Sequence, residues 1–177
     1  GGLLLFVGVQ PAARDLLREA GERWGLPYVI TRWLGGTMTN FKTMSERIQR
    51  YVGLKTDRAA GKLEKYTKKE RVIFDRDIRR MEMLFGGLER LSRVPDALLM
   101  VDPAKHETAV REAKRLNIPV VALVSSDSNP ELFAYPIPAN ASARQAIVWI
   151  FARLSSAIEE GRKEYETIKT APVNQNL

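Results

Sequence analysis

The sequence predicts an α/β fold. It reads as a three-layer α/β/α body with a mostly parallel sheet, interrupted by an inserted antiparallel helical hairpin of coiled-coil type. Three observations predict this. Short, wholly apolar runs alternate with amphipathic stretches, as in parallel strands covered on both faces. Two long stretches in mid-chain carry apolar residues only every three or four positions, as narrow-seamed helices do. The surplus positive charge falls within that same middle segment.

Taken in order, Leu3–Val7 is an apolar run between turn signals and reads as a buried strand. Gln10-Pro11 opens a helix, because proline suits a first helical turn. Leu16, Leu17, Ala20 and Trp24 are its apolar stripe, Gly25 ends it, and Pro27 bars its return. Tyr28–Ile30 is a second, short strand. Phe41, Met44, Ile48 and Tyr51 then step at helical spacing, and so do Phe74, Ile78, Met81, Phe85, Leu88 and Leu91. Gly61 and the Lys62–Tyr66 stretch separate the two patterns. Thr67-Lys68-Lys69-Glu70 has the form of a capping box, which starts a helix. A helix from Lys68 to Leu91 would run roughly 35 Å. The two seams are expected to pack on each other and not inside the main core. Ala97–Val101 and Val120–Val124 are further strands, with amphipathic Ala104–Leu116 between them and Asn117 as its stop. Tyr135–Pro138, with two prolines, suits an edge strand. Ser142–Glu160 is a last helix, and the tail from Thr167 is expected to fray. The domains follow: residues 1–41 and 94–161 build the body, 42–93 are the inserted hairpin, and 162–177 are a tail.

Of 177 residues, 28 are Lys or Arg and 21 are Asp or Glu, a formal charge of +7. Residues 1–41 carry a net +1 and residues 94–177 a net −1. Residues 42–93 carry 15 basic against 8 acidic groups, so the whole excess lies there. A mixed charge run is usually a solvated helix face, but a local surplus of this size attracts polyanions, nucleic acid above all. The segment lacks the aromatic, strongly apolar face that a membrane surface would need. With no cysteine and a single histidine, disulfides, thiolate metal sites, a Cys nucleophile and a His-rich metal site are ruled out. The longest apolar runs fall far short of the roughly 20 residues of a membrane span. The chain opens with Gly1 and has no signal-peptide layout, so residue 1 is read as a cut or processed start.

The segment Arg32-Trp33-Leu34-Gly35-Gly36-Thr37-Met38-Thr39-Asn40-Phe41-Lys42 is the most distinctive. Gly35 and Gly36 allow positive φ and close approach to another molecule. Arg32 and Lys42 can meet phosphates. Thr37, Thr39 and Asn40 can cap a helix or bond a sugar–phosphate backbone. A plain tight turn with Trp33 as core filler explains the segment equally well. Gly8-Val9-Gln10 lies where a dinucleotide fold would put its phosphate loop, but has one glycine and no GK[ST], so a structural turn is the better reading. Asp102 with His106, and Ser125-Ser126-Asp127-Ser128-Asn129-Pro130, end strands where α/β enzymes hold ligands. Helix-terminus and turn chemistry explain them as well.

On those residues the chain resembles the bacterial-type small-subunit ribosomal protein number two, the universal S-two family. The likeness runs from Gly1-Gly2 to about Gly161 and is strongest over Arg32 to Lys42. Leu5-Phe6-Val7-Gly8, Thr67-Lys68-Lys69-Glu70, Gly86-Gly87, Pro95-Asp96-Ala97-Leu98, Asp102, Ala109-Val110-Arg111-Glu112-Ala113, Ile118-Pro119-Val120 and Tyr135-Pro136-Ile137-Pro138 support it, in the right order. Family members usually carry a further helix and strand before the Gly-Gly. They also have Asp-Thr-Asn and Gly-Asn-Asp where this chain has Ser125-Ser126-Asp127 and Ala139-Asn140-Ala141, which removes two acidic side chains from those loops.

The resemblance implies a non-catalytic constituent of the small ribosomal subunit, in a bacterial cytoplasm or an organelle; no cofactor and no metal are expected. It implies ribosomal RNA as a partner, and other small-subunit proteins, among them the large mRNA-binding ribosomal protein number one. The RNA contacts expected are Arg32, Trp33, Gly35, Gly36, Thr37, Thr39, Asn40 and Lys42 in the loop, and Arg47, Arg50, Lys55, Lys62, Lys65, Lys68 and Lys69 on the hairpin. Trp33 or Phe41 could stack on a base, but burial beneath the loop is the better reading for both. Two alternatives remain: a small α/β sugar-phosphate- or nucleotide-binding enzyme domain around Gly8, Asp102 and Ser125–Asn129, and a protein-docking module with an exposed apolar stripe on the arm.

Overall fold

The computed structural model describes residues 1–170. Strands β1 (Leu4–Val7), β2 (Tyr28–Val29), β3 (Ala97–Val101), β4 (Val120–Val124) and β5 (Tyr135–Pro138) form one sheet in the order β2-β1-β3-β4-β5, with every pair parallel. The helices are α1 (Pro11–Trp24), α2 (Phe41–Ala59), α3 (Lys68–Phe85), α4 (Glu107–Arg115) and α5 (Arg144–Thr170).

Alternation along the strands assigns side chains to two cores. Leu5, Val7, Leu98, Met100, Val120, Ala122 and Val124 face one side, where they join Ala109 and Ala113 of α4. Phe6, Leu99, Val101 and Leu123 face the other, against Ala13, Leu17, Ala20 and Trp24 of α1 and Ile147 and Phe151 of α5. Phe6, Trp24 and Phe151 meet there with ring centroids 5.9–6.4 Å apart. The three layers are thus as expected. Gly25 caps α1 at φ 68°, and the two prolines of β5 sit at a sheet edge, where a missing N–H donor is tolerated.

Four expectations are corrected. The hairpin seams do not stand apart from the body: Met44, Ile48, Tyr51, Ile78 and Phe85 are buried in the same cluster as Leu5 and Leu98. The feet of α2 and α3 therefore form part of the helical layer over the sheet. Beyond the feet, residues 52–77 include no buried residue, although half-buried Val52, Leu54 and Leu63 still pack against the core cluster. Second, α3 stops at Phe85, about 27 Å from its start by helical rise. The chain then turns through a 3-10 segment, Gly86–Leu88. Third, Pro103–His106 is 3-10, and α4 begins only at Glu107, because Asp102 adopts φ 58° just before Pro103. Fourth, α5 continues to Thr170, so the tail expected from Thr167 is helical for its first four residues, and the rest of it lies outside the described residues. Among the described residues no helix is long and apolar enough to cross a membrane.

Gly87 shows why α3 ends where it does. A Cβ there would stand 2.2 Å from the Tyr28 carbonyl oxygen and 2.5 Å from its ring. The foot of the hairpin is thus pressed against the backbone of the edge strand β2. A Cβ on neighbouring Gly86 would meet only the flexible Glu82 side chain, at 3.7 Å. Gly87→Ala is accordingly expected to lower unfolding free energy by about 1–3 kcal/mol, as overpacking does, and Gly86→Ala to change it far less. Urea denaturation of both variants checks this, and equal losses would contradict it.

Candidate nucleic-acid interface

The segment after β2 is organised by one carboxylate from elsewhere in the chain. Glu112 of α4 is 7% exposed. Its Oε1 accepts the Trp33 indole N–H at 3.0 Å and the Gly36 backbone N–H at 2.8 Å. Its Oε2 accepts the backbone N–H groups of Met38 and Thr39 and the Thr39 hydroxyl, each at 3.0 Å. Gly36 adopts φ 87°, which lets the loop double back to present three amides to one anion. Burial pushes the Glu112 carboxyl up, but the bonds from Trp33, Thr39, Gly36 and Met38 outweigh it and hold it below the usual carboxylate range. Asn40 occupies the position before α2 without a side-chain cap bond, and the Thr39-to-Glu112 bonds order that turn instead.

This geometry separates the predicted loop contacts. Trp33 and Thr37 are buried, and the Thr37 hydroxyl donates to the Leu34 carbonyl at 2.6 Å. Both are interior groups, which corrects the expectation that they meet RNA; Trp33 is core filler with its N–H satisfied. The Gly36 amide and the Thr39 hydroxyl are committed to Glu112. Arg32, Gly35, Thr39, Asn40 and Lys42 are exposed.

On the hairpin, Arg47, Arg50, Lys55, Lys62, Lys65, Lys68 and Lys69 are all exposed. Lys55 is paired with Glu89 at 2.7 Å and Lys62 with Asp57 at 3.0 Å. Among the described residues no ion pair engages Arg32, Lys42, Arg47, Arg50, Lys65, Lys68 or Lys69. The hairpin tip is held by the predicted capping box: the Glu70 N–H reaches the Thr67 hydroxyl at 3.4 Å, and the Glu70 carboxylate accepts the Thr67 N–H at 2.9 Å. Arg58 and Asp75, 3.7 Å apart, tie the two helices together.

At the strand ends that an α/β enzyme would use, several polar groups are bonded within the chain. The order β2-β1-β3-β4-β5 reverses direction between β1 and β3, where such sheets open their ligand crevice. There Gln10 donates to Asp102 at 2.5 Å and to the Ser142 hydroxyl at 3.3 Å. The Val9 N–H donates to His106 Nε2 at 3.2 Å, which takes the lone pair a general base would need. Burial pushes the His106 imidazole down to about 4, further than the opposing pull of Asp102. Ser125 accepts the Ala141 N–H at 3.1 Å, and Asn129 accepts the Glu131 N–H at 3.0 Å. Gly8 is a packing glycine, its missing Cβ replaced by Leu17 and Val101.

Sequence reasoning missed Glu112 as a site residue. It marked the block around Glu112 as familiar without giving the side chain a role. The available signal was a carboxylate on the same face as Ala109 and Ala113, which that face buries.

A family model described as ribosomal protein S2 matches residues 1–161. The small ribosomal subunit protein uS2 of Thermus thermophilus is 44% identical over 162 residues, covering 92% of this chain and 63% of that protein. The uS2 of Coprothermobacter proteolyticus is 39% identical over 175 residues, 99% of this chain and 65% of the relative. That of Roseiflexus castenholzii is 40% identical over 169 residues, 96% and 64% respectively. The chain thus spans a little under two thirds of the length of these relatives.

Folding favours the deprotonated form of both Glu112 and His106, so both lend stability that is complete at neutral pH and lost on acidification. The His106 contribution should fall away between about 6.5, the ordinary imidazole value, and about 4. The Glu112 contribution should go at lower pH. Glu112→Gln sets an amide NH₂ against donors and should cost about 3 kcal/mol at neutral pH, while flattening the most acidic part of the profile. His106→Gln should flatten the part between 6.5 and 4. Urea unfolding followed by circular dichroism across pH checks both, and profiles parallel to the parent's would refute the assignment.

Proposed function

The chain belongs to the ribosomal protein S2 family, and on that premise we propose that it is a structural, non-catalytic constituent of the small ribosomal subunit that binds the subunit's RNA. The reading is carried by one observation: the surplus of seven positive charges lies wholly within residues 42–93, on exposed helices whose cations are mostly free of acidic partners. Phosphates neutralised by such side chains release counterions, and that release drives association. Arg32 and Lys42 border the turn that Glu112 holds, while Arg47 and Arg50 continue the surface along α2 and Lys65, Lys68 and Lys69 form the tip. Lys55 and Lys62 would exchange exposed carboxylates for phosphates, at little cost because exposed ion pairs are weak. Arg32, Gly35, Asn40 and Lys42 are the loop's contribution.

The body's role in this reading is positional. Its core holds the feet of the hairpin. The named relatives are bacterial small-subunit proteins, so a ribosome in bacterial cytoplasm is the setting proposed. Other small-subunit proteins would be neighbours, among them the large mRNA-binding ribosomal protein number one.

Titration with small-subunit RNA at increasing salt tests the reading. Log affinity should fall linearly with log salt. Replacing Lys42, Arg47 and Arg50 by Gln should reduce the slope by about two to three units without altering the circular dichroism spectrum. A slope near zero in the parent, or one indifferent to the three replacements, would sink the proposal.

A further inference from the structure

The two helices of the hairpin expose different chemistry. The exposed positions of α2 include Lys42, Glu46, Arg47 and Arg50 but no large apolar side chain. On α3, Val72 is 59% exposed, Ile73 42% and Met83 64%. At 100° per residue these three share one face with Lys69, Arg76 and Arg80, spaced by three, four and seven. All four acidic residues of the helix, Glu70, Asp75, Asp77 and Glu82, lie on other rows. The face is therefore wholly cationic in its charge and aliphatic between the charges.

We propose that this face of α3 docks an acidic amphipathic helix of another protein, its apolar edge set against Val72, Ile73 and Met83 and its carboxylates against Arg76 and Arg80. Phosphate backbone gains nothing from exposed valine, isoleucine and methionine, none of which stacks on a base. Protein interfaces are enriched in arginine and methionine, and charge complementarity selects the acidic partner. Arginine fits carboxylates bidentately, and its stem packs on aliphatic neighbours. The proposal deepens the reading above in its protein contacts and rests on it only in supposing protein neighbours.

The test uses the whole chain and a fluorescent synthetic helix of about 18 residues, with leucine along one face and glutamate flanking it. A peptide of the same composition with its leucines scattered serves as the comparison. The ordered peptide should bind at least about tenfold more tightly than the scattered one. Val72→Ser, Ile73→Ser and Met83→Ser together should abolish that preference, and Arg76→Glu with Arg80→Glu should weaken both peptides. The triple serine variant should keep the parent's RNA affinity and salt slope. Equal binding of the two peptides, or a preference surviving the serine replacements, overturns the proposal. So does loss of RNA binding in the serine variant, which would assign the face to RNA. If no variant binds RNA while the peptide preference behaves as stated, the RNA reading falls and this one stands.

Discussion

A single buried carboxylate sets the geometry on which the rest depends. Glu112 receives five hydrogen bonds from a segment more than seventy residues earlier in the chain. Left without those donors, an ionised carboxylate in this position would be strongly unfavourable. Left without Glu112, three amides, an indole N–H and a hydroxyl would lose their acceptor. Each side makes the other tolerable, so the turn into α2 has one conformation. That turn joins the sheet to the helical pair, and its shape sets the direction in which α2 departs.

The direction is reinforced from below. Met44, Ile48, Tyr51, Ile78 and Phe85 share a core with the sheet, and Gly87 brings the returning chain against β2. The Thr31 hydroxyl also donates to the Met83 carbonyl at 2.7 Å. Polar fixation at the loop and apolar fixation at the feet act on the same two helices. The near part of the basic surface, with Lys42, Arg47 and Arg50, is thereby held in one orientation, which irregular folded RNA can match by shape.

Features encoded locally were readable from the chain alone. Ala97–Val101, Val120–Val124 and Tyr135–Pro138 match β3, β4 and β5 residue for residue, because unbroken apolar runs and paired prolines are short-range signals. The capping box at Thr67 and the stop at Gly25 were legible for the same reason. The early end of α3 was not, because Leu88 and Leu91 continue the helical spacing while the constraint that breaks it is the Tyr28 backbone, some sixty residues away. The seams were assigned to each other because spacing reports that a face is buried and not what buries it. In the loop, residue types suited to RNA proved suited equally to a buried anion. Trp33, Thr37 and Thr39 answer to Glu112 and Leu34, while Arg32, Gly35, Thr39, Asn40 and Lys42 lie at the surface.

The absence of buried residues between 52 and 77 has a thermodynamic corollary. That stretch is held by the Arg58–Asp75 pair, the capping box and the half-buried contacts of Val52, Leu54 and Leu63 at the margin of the core. Its amides can therefore exchange with solvent through openings that leave the sheet intact, a local event well below global unfolding in free energy. The molecule is in effect a rigid anchor carrying a loosely annealed outer limb. Such a limb can settle against an uneven surface during assembly, while the anchor keeps its fold.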